Sequence, residues 1–151
     1  MASVHDVAAY ILSKTDGLST MKLQKLVYYS QAWHLVWDEV PLFEEPIQAW
    51  QNGPVIRSLY DRHRGQFSVT KWPDGNAKNL TKSERGTVDA VLKAYGKYTG
   101  QQLSDLSHKE GPWLQARGDT PTDWGSNVVI PLDSIQAYYS AVASDDDATT
   151  V

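Results

Sequence analysis

The sequence predicts a mainly α-helical single domain: a helical bundle carrying a small β-hairpin or a three-stranded minor sheet. Three observations lead there. Apolar residues recur at helical spacing in several segments, with Gly or Pro at the breaks between them. One segment, from Ser19 or Thr20 to about Trp37, is apolar around most of its circumference, as a central, enclosed helix is. The β-prone runs Leu42-Phe43, Ile47–Trp50 and Asn127–Ile130 are short.

Taken in order, the first helix starts at Ser3. Val4, Val7, Ala8 and Ile11 line one face, Asp6 completes an imperfect capping box, and Asp16-Gly17 ends it. In the second helix Leu23, Leu26, Val27, Ser30 and Trp33 share a face, and Tyr28, Tyr29, Ala32, Leu35 and Val36 fill much of the rest. Pro41 and Pro46 forbid a helix through the next stretch, so Leu42-Phe43 and Ile47–Trp50 are expected to form a hairpin across Glu44-Glu45. Asn52-Gly53 is a turn, with Pro54 at the first position of a third helix that stops near Gly65. Residues 66–79 read as a long loop with a turn at Pro73–Asn76.

Thr81 and Glu84 form a capping box for a helix whose spacing continues to Gly100. Leu103 and Leu106 suggest a short helix capped near Gln101 or Ser104. Gly111-Pro112 opens another, closed by Gly118. The isolated run Asn127–Ile130 needs a distant partner, for which Ile47–Trp50 is suited. Asp133 caps a last helix with Ile135, Tyr138, Tyr139 and Val142 inward. The folded domain spans 1–143. The acidic segment 144–151, with three consecutive Asp, buries too little apolar surface to order itself.

Composition narrows the function classes. A chain of 151 residues suits one domain, and 6 Trp and 8 Tyr supply large apolar area. No apolar run approaches the roughly 20 residues of a bilayer span. The N-terminus lacks a cationic leader and carries Asp6, so a cytoplasmic location is expected. With no cysteine there are no disulfides, no thiol catalysis and no Cys-ligated zinc. His5, His34, His63 and His108 show no ligand spacing, so neither metal nor cofactor is expected. Nucleophile-elbow, phosphate-loop and zinc-helix signatures are absent, so no enzyme is expected.

The net charge of -4 disfavours nucleic acid as a partner. It is unevenly spread: Arg57–Arg85 holds seven basic residues against three acids, +4, which leaves -8 for the remainder. Such polarity fits either a partner with an acidic face or a solvated loop.

Several side chains carry two readings. His108, Glu110, Trp113 and Arg117 form either a polar site or a packed corner, the corner being favoured beside a Pro turn. Trp50 is either core or a protein–protein anchor. Lys22, Gln24 and Lys25 make a polar start to the central helix. The two lysines, three apart, repel slightly, so they are either solvated or aimed at an acidic group.

Three blocks carry a resemblance: KLQKLVYYSQAW at 22–33, LFEEPIQAWQNGPVIRSLY at 42–60, and LSDLSHKEGPWLQAR at 103–117, followed by a weaker I-x-x-YY at 135–139. In order and spacing they resemble the Panacea domain family, the SocA-like antitoxins of bacterial and phage toxin–antitoxin pairs, with GepA-like phage-associated proteins. Lys22, Gln24, Lys25, Gly53, Pro54, His108, Glu110, Trp113 and Arg117 fall within these blocks. The resemblance implies a helical antitoxin that neutralises a cognate toxin by direct protein contact. Trp50, Arg57, Arg62, Arg64 and Lys71 are the expected partner-binding residues, and the basic middle loop is a natural place for toxin discrimination. A homo-oligomer is compatible with all of this. The rival readings are a proteolysis adaptor or regulatory interaction module, a DNA-binding autoregulator, and an enzyme built on His108, Glu110 and Arg117.

Overall fold

The computed structural model describes residues 1–121 and 125–149, with side chains to residue 145. Helix α1 (Val4–Ser13) is followed by β1 (Leu18–Ser19) and α2 (Thr20–Trp37). Strands β2 (Ile47–Trp50) and β3 (Gly53–Ile56) lead into α3 (Arg57–His63) and β4 (Ser68–Val69). A 3-10 turn at Ala77–Asn79 precedes α4 (Lys82–Tyr95), α5 (Gly100–His108), α6 (Gly111–Arg117) and α7 (Leu132–Thr149). The fold is mainly α with minor sheet, as the periodicity predicts.

Helix α2 is the axis. It packs against α1, α4, α5, α7 and β3. Its buried set includes Leu23, Leu26, Val27, Tyr28, Tyr29 and Leu35, but also Gln24, Lys25, Gln31 and His34. His34 pairs with the Thr87 hydroxyl at 3.0 Å, while Gln24, Lys25 and Gln31 are enclosed because they satisfy backbone groups that the 42–56 segment cannot pair for itself. Gln31 donates to the Phe43 carbonyl at 2.8 Å and accepts from the Leu42 N–H at 2.6 Å. One turn-pair earlier, Gln24 accepts from the Ile56 N–H at 2.9 Å and donates to the Ile56 carbonyl at 3.2 Å. Each glutamine amide stands in for a neighbouring strand.

The hairpin departs from the sequence expectation. Leu42-Phe43 is not a strand; β2 pairs antiparallel with β3 across Gln51-Asn52, in the register Ile47↔Ile56 to Trp50↔Gly53. Pro54 lies in β3 rather than opening a helix, and α3 starts at Arg57. An outer strand tolerates a proline that has no N–H to give. The expected pairing of residues 127–130 with β2 is present: Val129 bridges Gln48, Ala49 N–H donates to the Val128 carbonyl, and Ile130 N–H to the Ile47 carbonyl.

The caps account for the helix starts. Ser3 with Asp6 and Thr81 with Glu84 form complete capping boxes. Thr99, not Gln101 or Ser104, caps α5, paired with Gln102. Asp133 lies within the first turn of α7 rather than ahead of it. Residues 66–79 are more ordered than a loop: β4 pairs with β1, and Asp6 accepts from the Asn76 N–H at 2.8 Å. Trp72, buried, donates to His5 Nδ1 at 3.0 Å. The expected domain limit at residue 143 falls inside α7, and the last two residues of the acidic segment lie outside the described residues. No described helix is long and apolar enough to cross a membrane.

The substitution Gln31→Leu keeps the volume but strands a buried N–H and a buried carbonyl. Chemical denaturation is expected to show a loss of about 2–4 kcal/mol, well beyond that of a surface glutamine.

Candidate functional site

The hairpin turn is held over the N-terminal end of α2 by side chains from three helices. Ser104 of α5 donates to the Asn52 carbonyl at 2.6 Å. From α6, Trp113 donates to the Trp50 carbonyl at 2.8 Å and Arg117 to the Ala49 carbonyl at 3.3 Å. Lys25 of α2 donates to the Pro54 carbonyl at 3.2 Å. Gly53 makes this approach feasible. Its φ of +118° disfavours any side chain, and a Cβ there would lie 2.7 Å from Lys25 Cε.

Between the start of α2, this turn and α3 lies a groove of about 650 Å³. Trp50 and Tyr60 form one wall, packed edge to face with centroids 4.8 Å apart. Arg57 and Arg64, both exposed, border it, His63 faces it from α3, and Lys25 reaches it from below. Arg57 also pairs with Asp61 at 3.2 Å on the surface. None of the described residues lining the groove is acidic.

The electrostatics centre on Lys25. Burial pulls its ammonium from the ordinary 10.5 down to about 8. Its charge helps hold His63 and His108 below the usual imidazole range, after burial, which is the larger cause in both.

The partner-binding residues expected from sequence divide. Trp50, Arg57 and Arg64 meet in this groove. Arg62 and Lys71 line a smaller neighbouring one of about 400 Å³, where Arg62 pairs with Asp74 at 3.7 Å. Lys22 is half-buried and donates to the Gly96 carbonyl at 2.7 Å, closing the end of α4. Solvation, one of the two readings for the polar start of α2, is excluded for Gln24 and Lys25, which are 3% and 2% exposed. Lys25, His63 and Tyr60 were not singled out as a set by the sequence. The available signal was that Lys25 lies one turn from Tyr28 and Tyr29, inside the apolar arc.

Of His108, Glu110, Trp113 and Arg117, three meet on the Trp113 ring and Glu110 does not join them. The His108 ring packs tilted against Trp113, centroids 4.3 Å apart, and Arg117 lies over the same ring at 5.1 Å, its guanidinium also donating to the Pro121 carbonyl at 2.7 Å. Glu110 points the other way, accepting from the Tyr29 hydroxyl at 2.5 Å and the Tyr139 hydroxyl at 2.9 Å. Burial raises its carboxyl above the usual range against the lowering effect of those two bonds. This is the packed corner: it anchors α6 to the hairpin and to α2. Among the described residues no group of three His, Asp or Glu is placed to hold a metal ion.

These features define a class: a helical domain built on one enclosed helix, with a cationic groove where a hairpin crosses that helix's first turns. Residues 23–114 match the family model of the SocA-like antitoxin, Panacea domain, and the chain belongs to that family. The membership supports an antitoxin-type role and a protein partner at family level. No curated protein and no solved structure matches the chain. Lys25, Trp50, Gly53, Arg57, Tyr60 and Arg64 all lie in the matched span.

Lys25 sets a pH dependence. Between about 8 and 10.5 the unfolded chain binds a proton that the folded chain has released, so stability increases with pH across that window. Below it the full cost of the buried cation stands. Compared with Lys25→Met, the wild type is expected to gain about 2 kcal/mol from pH 7 to about pH 9.5 in urea denaturation. At pH 7 the methionine variant is the more stable, since the carbonyl bond it loses is worth about 1 kcal/mol and the buried charge costs more.

Proposed function

We propose that this chain is a non-enzymatic, cytoplasmic antitoxin that neutralises a cognate toxin by direct binding through the groove between α2, the β2–β3 turn and α3. The observation that carries the reading is the groove's lining. Lys25, Arg57 and Arg64 surround it with no described acid, in a chain whose net charge is -4. Family membership supplies the class of partner.

The chemistry suits a protein contact. Trp, Tyr and Arg are the side chains that most often dominate binding energy at interfaces. Trp50 and Tyr60 offer rigid aromatic area, while Arg57 and Arg64 offer exposed, always-charged forks that speed encounter with an acidic face. A standard interface buries about 800 Å² per partner. The groove supplies its centre, and Arg62 and Lys71 in the neighbouring groove extend it.

The test is co-expression with the reading frame encoded beside it. The neighbour alone is expected to arrest growth, and this chain to restore growth and co-purify with it. Neutralisation titrated in vitro should saturate at a fixed molar ratio; substoichiometric rescue would indicate catalysis instead. The double variant Arg57→Glu, Arg64→Glu changes only exposed side chains, so its melting temperature should hold while affinity falls at least about 30-fold, roughly 2 kcal/mol. Undiminished rescue by that variant would place the contact elsewhere.

A further inference from the structure

We infer that the groove is a receptor for a carboxylate, delivered by an Asp or Glu side chain on an acidic segment of a partner protein and received by the buried ammonium of Lys25. The inference rests on the direct-binding reading above and specifies its chemistry.

Lys25 is the anomaly that calls for an occupant. Its side chain is almost fully enclosed, yet an ammonium has three donors and, among the described residues, only the Pro54 carbonyl takes one of them. Among the described residues it forms no ion pair. Its surroundings worsen the imbalance: Arg57 and Arg64 border the same groove, and His63 and His108 both feel its charge. Hydrophobic packing alone would be better served by methionine. A buried cation kept at a cost to stability, beside an opening to solvent, is what a preformed anion receptor requires.

The backbone is shaped around that lysine. Gly53, at a φ that glycine alone adopts readily, leaves the gap through which the stem passes; a Cβ would meet Lys25 Cε at 2.7 Å, Ser107 Oγ at 3.0 Å and Lys25 Nζ at 3.3 Å. The turn is pinned by Ser104 and Trp113, so the receptor is present before any partner arrives.

Charge distribution selects the occupant. A nucleic-acid strand is a continuous polyanion and would have to run beside surface whose charge outside residues 57–85 sums to -8. A single carboxylate on a protein segment meets only the groove. The Trp50–Tyr60 wall accepts the methylene stem and neighbouring apolar side chains of such a segment.

The experiment uses the purified chain with lysine side chains 13C-labelled, and three probes: acetyl-Ala-Glu-Glu-Ala-amide, its Gln-Gln counterpart, and a ten-residue oligothymidylate. The acidic peptide is expected to move resonances of Trp50, Tyr60 and His63 and to raise the Lys25 titration midpoint by at least one pH unit. The Gln peptide should do neither, and Lys25→Met, shown folded by its melting curve, should bind the acidic peptide at least tenfold more weakly. An unmoved Lys25 signal at millimolar peptide, equal binding of the Gln peptide, or preferential binding of the oligonucleotide overturns the inference. No toxin is involved, so the two readings fail separately. A carboxylate seated on Lys25 beside undiminished neutralisation by the Arg57, Arg64 variant removes only the docking surface. Groove-dependent neutralisation with an unmoved Lys25 removes only the receptor.

Discussion

Everything in this molecule depends on how the polar side chains of α2 meet the backbone of residues 42–56. A helix covered by α1, α4, α5, α7 and β3 ordinarily has no use for glutamine or lysine at its centre. Here Gln24, Lys25 and Gln31 serve a segment that follows Pro41, contains Pro46 and Pro54, and cannot complete its own hydrogen bonds. The segment therefore has one place to lie, directly on α2. Once it lies there, its turn overhangs the helix's first turns and a groove opens beside it. The fixed position of the hairpin and the existence of the groove have the same cause.

The middle of α2 and its N-terminal end differ in consequence. Toward the middle, Tyr28 and Tyr29 meet Tyr139 of α7 and Glu110 ahead of α6 in a closed network of hydroxyls and one carboxylate. All its members have partners, so it rigidifies the packing. At the N-terminal end Lys25 has one hydrogen-bond partner among the described residues and open space nearby. Buried polar groups that satisfy one another build the fold, and Lys25, short of partners among the described residues, is the group on which the proposed receptor rests.

The sequence revealed what local chemistry decides. Ser3 with Asp6 and Thr81 with Glu84 are caps within four residues, and α1 and α4 start where those residues say, as α2 starts behind Ser19. The pairing of residues 127–130 with β2 was also legible, because an isolated β-prone run has few partners available. The hairpin was not. Pro54 suits the first turn of a helix and an outer strand equally well, and contacts distant in sequence, the pairing with β2 and the Gln24 side chain on Ile56, decide between them. The groove was half legible: Trp50, Arg57 and Arg64 stand out by residue type, whereas Lys25 looks solvated until the distant turn at Gly53 is folded over it. The basic stretch 57–85 reads as one surface in sequence. In space α3 and the strand after it turn Arg62 and Lys71 away from Arg57 and Arg64.

The limits of the family match and the limits of the folded body are different things. Residues 23–114 leave out α1 and all of α7. Yet Val4, Val7 and Ile11 belong to the core, and Tyr139 holds the hydroxyl of Tyr28 and shares Glu110 with Tyr29. A fragment cut to the matched span would bare those apolar positions and strip the tyrosine network of a member. The portable unit that evolution or an engineer can join to another protein is therefore the larger body, from α1 through the inner face of α7. A fusion joint placed before Ser3 or beyond Val142 spares it, and one placed at the edges of the match does not.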